Sequence, residues 1–114
     1  MKALPIFYWI FAISSLFLLA PLAFAEGISN PVLVIKDGRF LPETLEIPSG
    51  QKVRLEIRNE GKAAEEFESS DLNREKLIPA GGKASITLGP LQPGQYRFFG
   101  EFNPKTAQGV IVVR

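Results

Sequence analysis

Residues 94–109, GQYRFFGEFNPKTAQG, form the stretch around which the rest of the chain is arranged. It opens as a strand, because Tyr96 and Phe98 fall on one face and Arg97 and Phe99 on the other. The strand breaks at Gly100, loops through Glu101, Phe102, Asn103 and Pro104, and leaves into the apolar run of residues 110–113. Just upstream, Leu91-Gln92-Pro93-Gly94-Gln95-Tyr96 has the form of a tyrosine corner, in which the Tyr hydroxyl bonds back to nearby backbone. A corner of this kind marks a Greek-key crossing, and so a sandwich.

Further strands lie outward from this core. Val53, Leu55 and Ile57 alternate with Arg54, Glu56 and Arg58, the clearest half-buried strand in the chain. Residues 32–35 are a β-rich run closed by Lys36-Asp37-Gly38, and residues 40–47 follow as one segment before Pro48-Ser49-Gly50 turns the chain. Residues 84–88 alternate again. Residues 71–78 fit either a short helical turn or a strand, and periodicity does not separate the two. The pattern predicts an all-β, Greek-key antiparallel sandwich of about seven strands.

Residues 1–25 have the form of an export signal: one charge (Lys2), an apolar stretch, Pro21, and Ala23-Phe24-Ala25 as a small-x-small cleavage site. The alternative is an uncleaved membrane anchor, since residues 3–25 are long enough to span a bilayer; on either reading the domain is residues 26–114, in a periplasmic setting. Lys2 is one of 13 Lys and Arg, so this domain carries as many basic side chains as its 12 acidic ones, which argues against nucleic acid as a partner. The chain has no Cys and no His, and its one Met and one Trp lie in the signal. Disulfides and soft-metal centres are thereby excluded within it, leaving oxygen ligands.

Carboxylates are hard, anionic ligands for iron, manganese, calcium or magnesium. Six of the 12 acids are Glu65, Glu66, Glu68, Asp71, Glu75 and Glu101. Glu66 and Glu68 share a strand face while Phe67 takes the other. Glu65, Glu66, Glu68, Glu101 and Asn103 are the candidate metal ligands. The competing reading is a solvated face on which Glu66, Glu68 and Glu75 pair with Arg74, Lys76 or Arg97. Asn103, standing before Pro104, also suits a purely loop-fixing role. Arg97, Phe99 and Phe102 are candidate partner contacts. Ser69 and Ser70 have no activating base nearby in sequence, and no phosphate loop opens a helix, so neither a hydrolase nor a nucleotide enzyme is supported.

Three segments carry a family resemblance. Phe40-Leu41-Pro42, then Ile47-Pro48-Ser49-Gly50 and Val53-Arg54-Leu55, resemble the opening of a cupredoxin domain. Asn59-Glu60-Gly61 ahead of Glu66-Phe67-Glu68, with Pro79-Ala80-Gly81, is similar to EfeO-type cupredoxin-like domains. Residues 98–107, FFGEFNPKTA, resemble most the small periplasmic FtrB-like cupredoxins of bacterial ferrous-iron uptake systems. In cupredoxins the strand–loop–strand carries C-x-x-H-x-x-M, joined by one upstream His; the matching positions here are Glu65, Gly100, Asn103 and Thr106. The resemblance therefore implies no type-1 copper. It implies iron as the metal, with an inner-membrane iron permease or a copper-bearing periplasmic protein as partner. The implied role is a monomeric or weakly dimeric accessory protein that passes iron on, with ferroxidase activity only through a redox partner. The alternative is a metal-free interaction module docking on a membrane transporter or oxidase.

Overall fold

A computed structural model describes residues 30–114. The expected export segment, residues 1–25, lies outside the described residues. The described residues form nine strands: β1 (Val32–Lys36), β2 (Arg39–Leu41), β3 (Thr44–Ile47), β4 (Val53–Asn59), β5 (Glu65–Ser69), β6 (Arg74–Ile78), β7 (Lys83–Leu88), β8 (Gly94–Gly100) and β9 (Gln108–Val113). They build a four-stranded sheet, β2-β1-β4-β7, and a five-stranded sheet, β3-β9-β8-β5-β6. The described residues are an all-β sandwich, as the alternation predicts.

The strand count and two pairings differ from the expected seven antiparallel strands. Residues 40–47 are not one strand. They divide around Pro42 and Glu43, where proline has no N–H for a ladder, so β2 pairs back on β1 while β3 joins the other sheet. There β3 lies parallel to β9, from Thr44↔Val110 to Ile47↔Val113. Likewise β1 runs parallel to β4, and both sheets are mixed. The turn between β1 and β2 has Asp37 and Gly38 both left-handed, the two-residue type I′ geometry that Asp-Gly favours. The segment left open between turn and strand is β6, because its Glu65↔Ile78 to Ser69↔Arg74 ladder with β5 satisfies its backbone.

The core lies between the sheets. Leu33, Ile35, Leu55, Ile57 and Leu88 enter it from one side and Phe67, Phe98, Ile78, Ile111 and Val113 from the other. At its centre Phe40 meets Phe67 and Phe98 edge-on, at centroid distances of 6.0 and 5.1 Å, while Phe67 and Phe98 stack at 5.2 Å. The tyrosine corner is present: the Tyr96 hydroxyl donates to the Gln92 carbonyl at 2.8 Å. Tyr96→Phe should destabilise the domain by about 0.5–1.5 kcal/mol, the net contribution of one such bond, as read by urea unfolding with an unchanged m value.

Three buried polar residues interrupt this apolar interior, namely Asn59, Glu65 and Ser69. Each is partnered. Asn59 Nδ2 donates to the Ala63 and Ile78 carbonyls and its Oδ1 accepts from Gly61 N, tying the end of β4 to β6. Ser69 Oγ donates to the Arg97 carbonyl and accepts from Leu72 N, which seats the turn between β5 and β6. Glu65 belongs to the loop end described next.

Candidate functional site

Strand parity divides the predicted residues into two groups. On β5 the pattern is buried–intermediate–buried–intermediate–buried, so Glu65, Phe67 and Ser69 face inward and Glu66 and Glu68 face out. On β8 the register Glu68↔Phe99 puts Phe99 and Arg97 on that same outer face. Glu101 follows directly after β8, and its N–H donates to the Glu66 carbonyl at 2.9 Å. Opposite, on β6, Leu77 stands across from Glu66 and Glu75 across from Glu68.

The outer group is an acidic cluster. Glu66, Glu68 and Glu101 each offer a carboxylate oxygen, and the three lie within 4.8 Å of one another. The expected alternative was that these acids pair with basic neighbours. Among the described residues none of Glu66, Glu68, Glu75 and Glu101 has a cationic nitrogen within 4.0 Å; the ion pairs are Arg39–Glu43, Arg58–Glu56 and Arg114–Glu46. Arg74 instead spends its guanidinium on the carbonyls of Leu72, Asn73 and Thr87. Lys76 stands opposite inward-facing Phe67, off the acidic face. Asp71 accepts the Arg97 N–H at 2.8 Å and so stays outside the cluster.

Unpaired like charges hold protons. The Glu101 carboxyl, close enough to share a proton with Glu68, raises Glu68 to about 7, with desolvation and the neighbouring Glu75 acting in the same direction. Partial desolvation, followed by the charges of Glu75, Glu101 and Glu65, raises Glu66 above the ordinary carboxylate range. These are coupled sites, so the proton belongs to the cluster rather than to one residue. Three convergent oxygens, two on one rigid strand and one on an adjoining loop, suit a small, hard cation held in exchange with solvent.

The inner group is Glu65 with Asn103. Glu65 is 1% exposed and accepts three N–H groups: Glu66 N at 2.8 Å and Phe102 N at 2.9 Å on Oε1, and Asn103 Nδ2 at 2.8 Å on Oε2. The structure thus separates Glu65 and Asn103 from the other three candidate ligands. The parity that joins Glu66 to Glu68 also places Glu65 with Phe67, and that signal is present in the sequence. Asn103 does fix the loop, through Glu65 and through its own backbone, since Asn103 N donates to Gly100 O and Asn103 O accepts from Ala107 N. Thr106 Oγ1 donates to the Gly38 carbonyl at 2.6 Å and ties the loop to the β1–β2 turn. Gly100 is required here: a Cβ would sit 2.6 Å from Glu65 Oε2 and 2.8 Å from Ala107 Cβ. Beside this pair a cleft of about 480 Å³ opens, with Lys36, Asp37, Asn59, Lys62, Glu65 and Asn103 in its wall.

Of the predicted partner contacts, Phe102 is 53% exposed, Phe99 is half-buried and Arg97 is exposed. Leu77, at 55%, was not singled out in sequence; its place opposite Glu66 depends on β6 being a strand.

Comparison with known proteins gives a family and a fold. A family described as cupredoxin-like domain matches residues 8–113. A protein of Rickettsia prowazekii (strain Madrid E), described as uncharacterized protein RP394, is 47% identical over 88 residues, which cover 77% of this chain and 70% of that protein. Among solved structures, a purple cupredoxin from Nitrosopumilus maritimus aligns with a TM-score of 0.59 at 20% identity, covering 74% of this chain and 99% of that one. The metal-binding domain of the Cu(I)-exporting P-type ATPase CopA of Streptococcus pneumoniae D39 aligns with a TM-score of 0.65 at 15% identity, covering 81% and 91%. At such identities the structural likeness establishes the fold.

Proposed function

This chain belongs to the cupredoxin-like domain family, and from that premise we propose that it is an exported accessory protein binding a hard divalent cation, ferrous iron first, at Glu66, Glu68 and Glu101. The observation that carries the reading is three carboxylates converging with no basic partner among the described residues. Such a cluster is costly when fully charged and is relieved by a cation. Its half-exposed position, in a periplasmic protein, suits delivery to a partner, here an inner-membrane iron permease or a copper-bearing periplasmic protein. The likeness of residues 98–107 to FtrB-like proteins of iron uptake supports iron over other hard metals.

The copper that the family implies does not fit this chain. There is no thiolate or imidazole within these residues. On the reading that Glu65, Gly100, Asn103 and Thr106 stand at the ligand positions, each is engaged otherwise. Glu65 and Asn103 bond to each other, Thr106 bonds to Gly38, and Gly100 leaves the room that Glu65 fills. Redox turnover therefore falls to a partner.

Anaerobic calorimetric titration of the purified, untagged protein with Fe²⁺ and Mn²⁺ at pH 7 tests the reading. One equivalent should bind with release of roughly half a proton at pH 7, since Glu68, raised to about 7, is about half protonated there. No heat with either ion, across buffers of different ionisation enthalpy, sinks it. The second reading, a metal-free docking module, is favoured by the exposure of Phe102 and Leu77 beside the acids. On that reading Phe102→Ser and Arg97→Ala abolish crosslinking to the membrane partner, and the triple glutamine variant of the cluster leaves iron uptake intact.

A further inference from the structure

Glu65 is buried, accepts three donors, and lies one residue from the acidic cluster without facing it. Its bonds have a common consequence. Phe102 N and Asn103 Nδ2 belong to the loop after β8, and Glu66 N belongs to β5, so the carboxylate pins that loop to β5. Directly before the first loop anchor, Phe102, sits Glu101, whose own N–H meets the Glu66 carbonyl. Resting on the reading of Glu66, Glu68 and Glu101 as a cation site, we infer that Glu65 is its positioning residue: a buried carboxylate that holds Glu101 beside Glu66 and Glu68 without touching the cation.

The chemistry of the donors supports a carboxylate in this place. Both oxygens accept, Oε1 twice, and neither is offered a carbonyl. Gly100 completes the device, because any side chain there displaces the Oε2 that Asn103 holds. Without Glu65, Glu101, exposed and directly after the strand, would be tied to β5 by its single N–H bond to the Glu66 carbonyl, against the like charges of Glu66 and Glu68. Repulsion favours movement away from them. Glu65 opposes it with hydrogen bonds to a charge-bearing group, each stronger than a neutral one.

Glu65→Met keeps the length and bulk of the side chain and removes all three acceptors. In metal-free protein, amide hydrogen exchange at Glu101 and Phe102 should then accelerate about ten- to a hundred-fold, as expected for losing bonds to a charged group. Amides of the β8–β9 ladder, such as Ile111, should keep their rates. Glu65→Gln should lie between wild type and Met, because its amide can still accept from Phe102 while a turned Asn103 accepts its NH₂. Affinity for Mn²⁺ should fall about tenfold in Glu65→Met, the scale of a lost supporting partner. That loss should vanish when Glu65→Met is made in a Glu101→Gln background, since the effect runs through Glu101. If Glu65→Met does not fold, Asn103→Ala, which removes a single bond from an exposed residue, should loosen the same two amides. Wild-type exchange rates at Glu101 and Phe102 in these variants overturn the inference, as do losses of Mn²⁺ affinity that add in the double variant. A wild-type protein that takes up no Mn²⁺ defeats the cation reading instead, and the amide rates still decide whether Glu65 holds Glu101.

Discussion

Phe98→Ala is expected to lower the unfolding free energy by about 3–5 kcal/mol, the scale of emptying a buried aromatic site. For a domain of ordinary stability, about 5–15 kcal/mol, such a loss approaches the limit of folding. Three observations set the size. Phe98 is 2% exposed, it touches both other rings of the central trio, and it lies over Gly109, where a Cβ would come within 2.4 Å of its Cζ. The ring therefore uses space that β9 leaves open for it. Urea unfolding of Phe98→Ala should show a reduced midpoint at unchanged m. Gly109→Ala makes the opposite error by overfilling the same space, presses in addition on the Glu43 carbonyl oxygen 2.7 Å from that Cβ, and costs about 1–3 kcal/mol. The two faults should partly cancel, so the double variant should be more stable than the sum of the single losses predicts. Strict additivity would show that the Phe98–Gly109 contact is not what shapes this part of the core.

Much of this core was legible in the sequence for a local reason. Val53, Leu55 and Ile57 alternate within one strand, Glu66 and Glu68 flank Phe67, and Tyr96 stands four residues after its acceptor Gln92. Each pattern is complete within a few residues, and period-2 geometry converts it directly into a face. The parallel pairs β1–β4 and β3–β9 were not legible, because nothing local marks which strand lies beside which. Residues 40–47 looked continuous because the division at Pro42 is a change of sheet, and a change of sheet leaves no trace in alternation.

The candidate site divides along the same line. The convergence of Glu66 and Glu68 follows from parity, and Glu101 from the loop that succeeds β8. The role of Glu65 does not, since its donors Phe102 and Asn103 lie more than thirty residues away and its burial depends on the missing side chain of Gly100. An acid beside two others reads in sequence as a third ligand. Parity sets it on the face of Phe67 instead, and only packing reveals what it holds there. That the described residues offer the acidic cluster no ion pair was equally hidden: Arg74, Lys76 and Arg97 are close in sequence or register, yet Arg74 bonds carbonyls and Lys76 lies off the face.

Substituting Glu66, Glu68 and Glu101 together by glutamine should abolish hard-cation binding, and it should also make the metal-free protein more stable at pH 8. The first loss should exceed the roughly 10–100-fold that a mere supporting partner would cost, because all three oxygens are replaced by weaker neutral donors. The second follows from proton linkage. Glu68 is raised to about 7 by Glu101, by desolvation and by Glu75, and Glu66 is raised as well. An acid that binds its proton more tightly when folded makes the folded state take up protons, so stability falls as pH rises from the ordinary carboxylate range to about 7 and is level above it. Glu56, lowered chiefly by its hydrogen bond from Arg58, works in the other direction, but its window lies below the ordinary carboxylate range. Metal-free wild type should therefore melt higher at pH 5.5 than at pH 8 in dilute buffer. Added salt should narrow the difference by screening the exposed charges. Glu68→Gln alone should remove most of the pH dependence, and Mn²⁺ at pH 8 should raise the melting temperature of wild type but not of the triple variant. Melting that is flat from pH 5.5 to 8, together with a triple variant no more stable than wild type, would mean that these carboxylates do not repel one another. The cluster would then lack the electrostatic cost that a bound cation relieves, and the argument for a cation there would lose its physical basis.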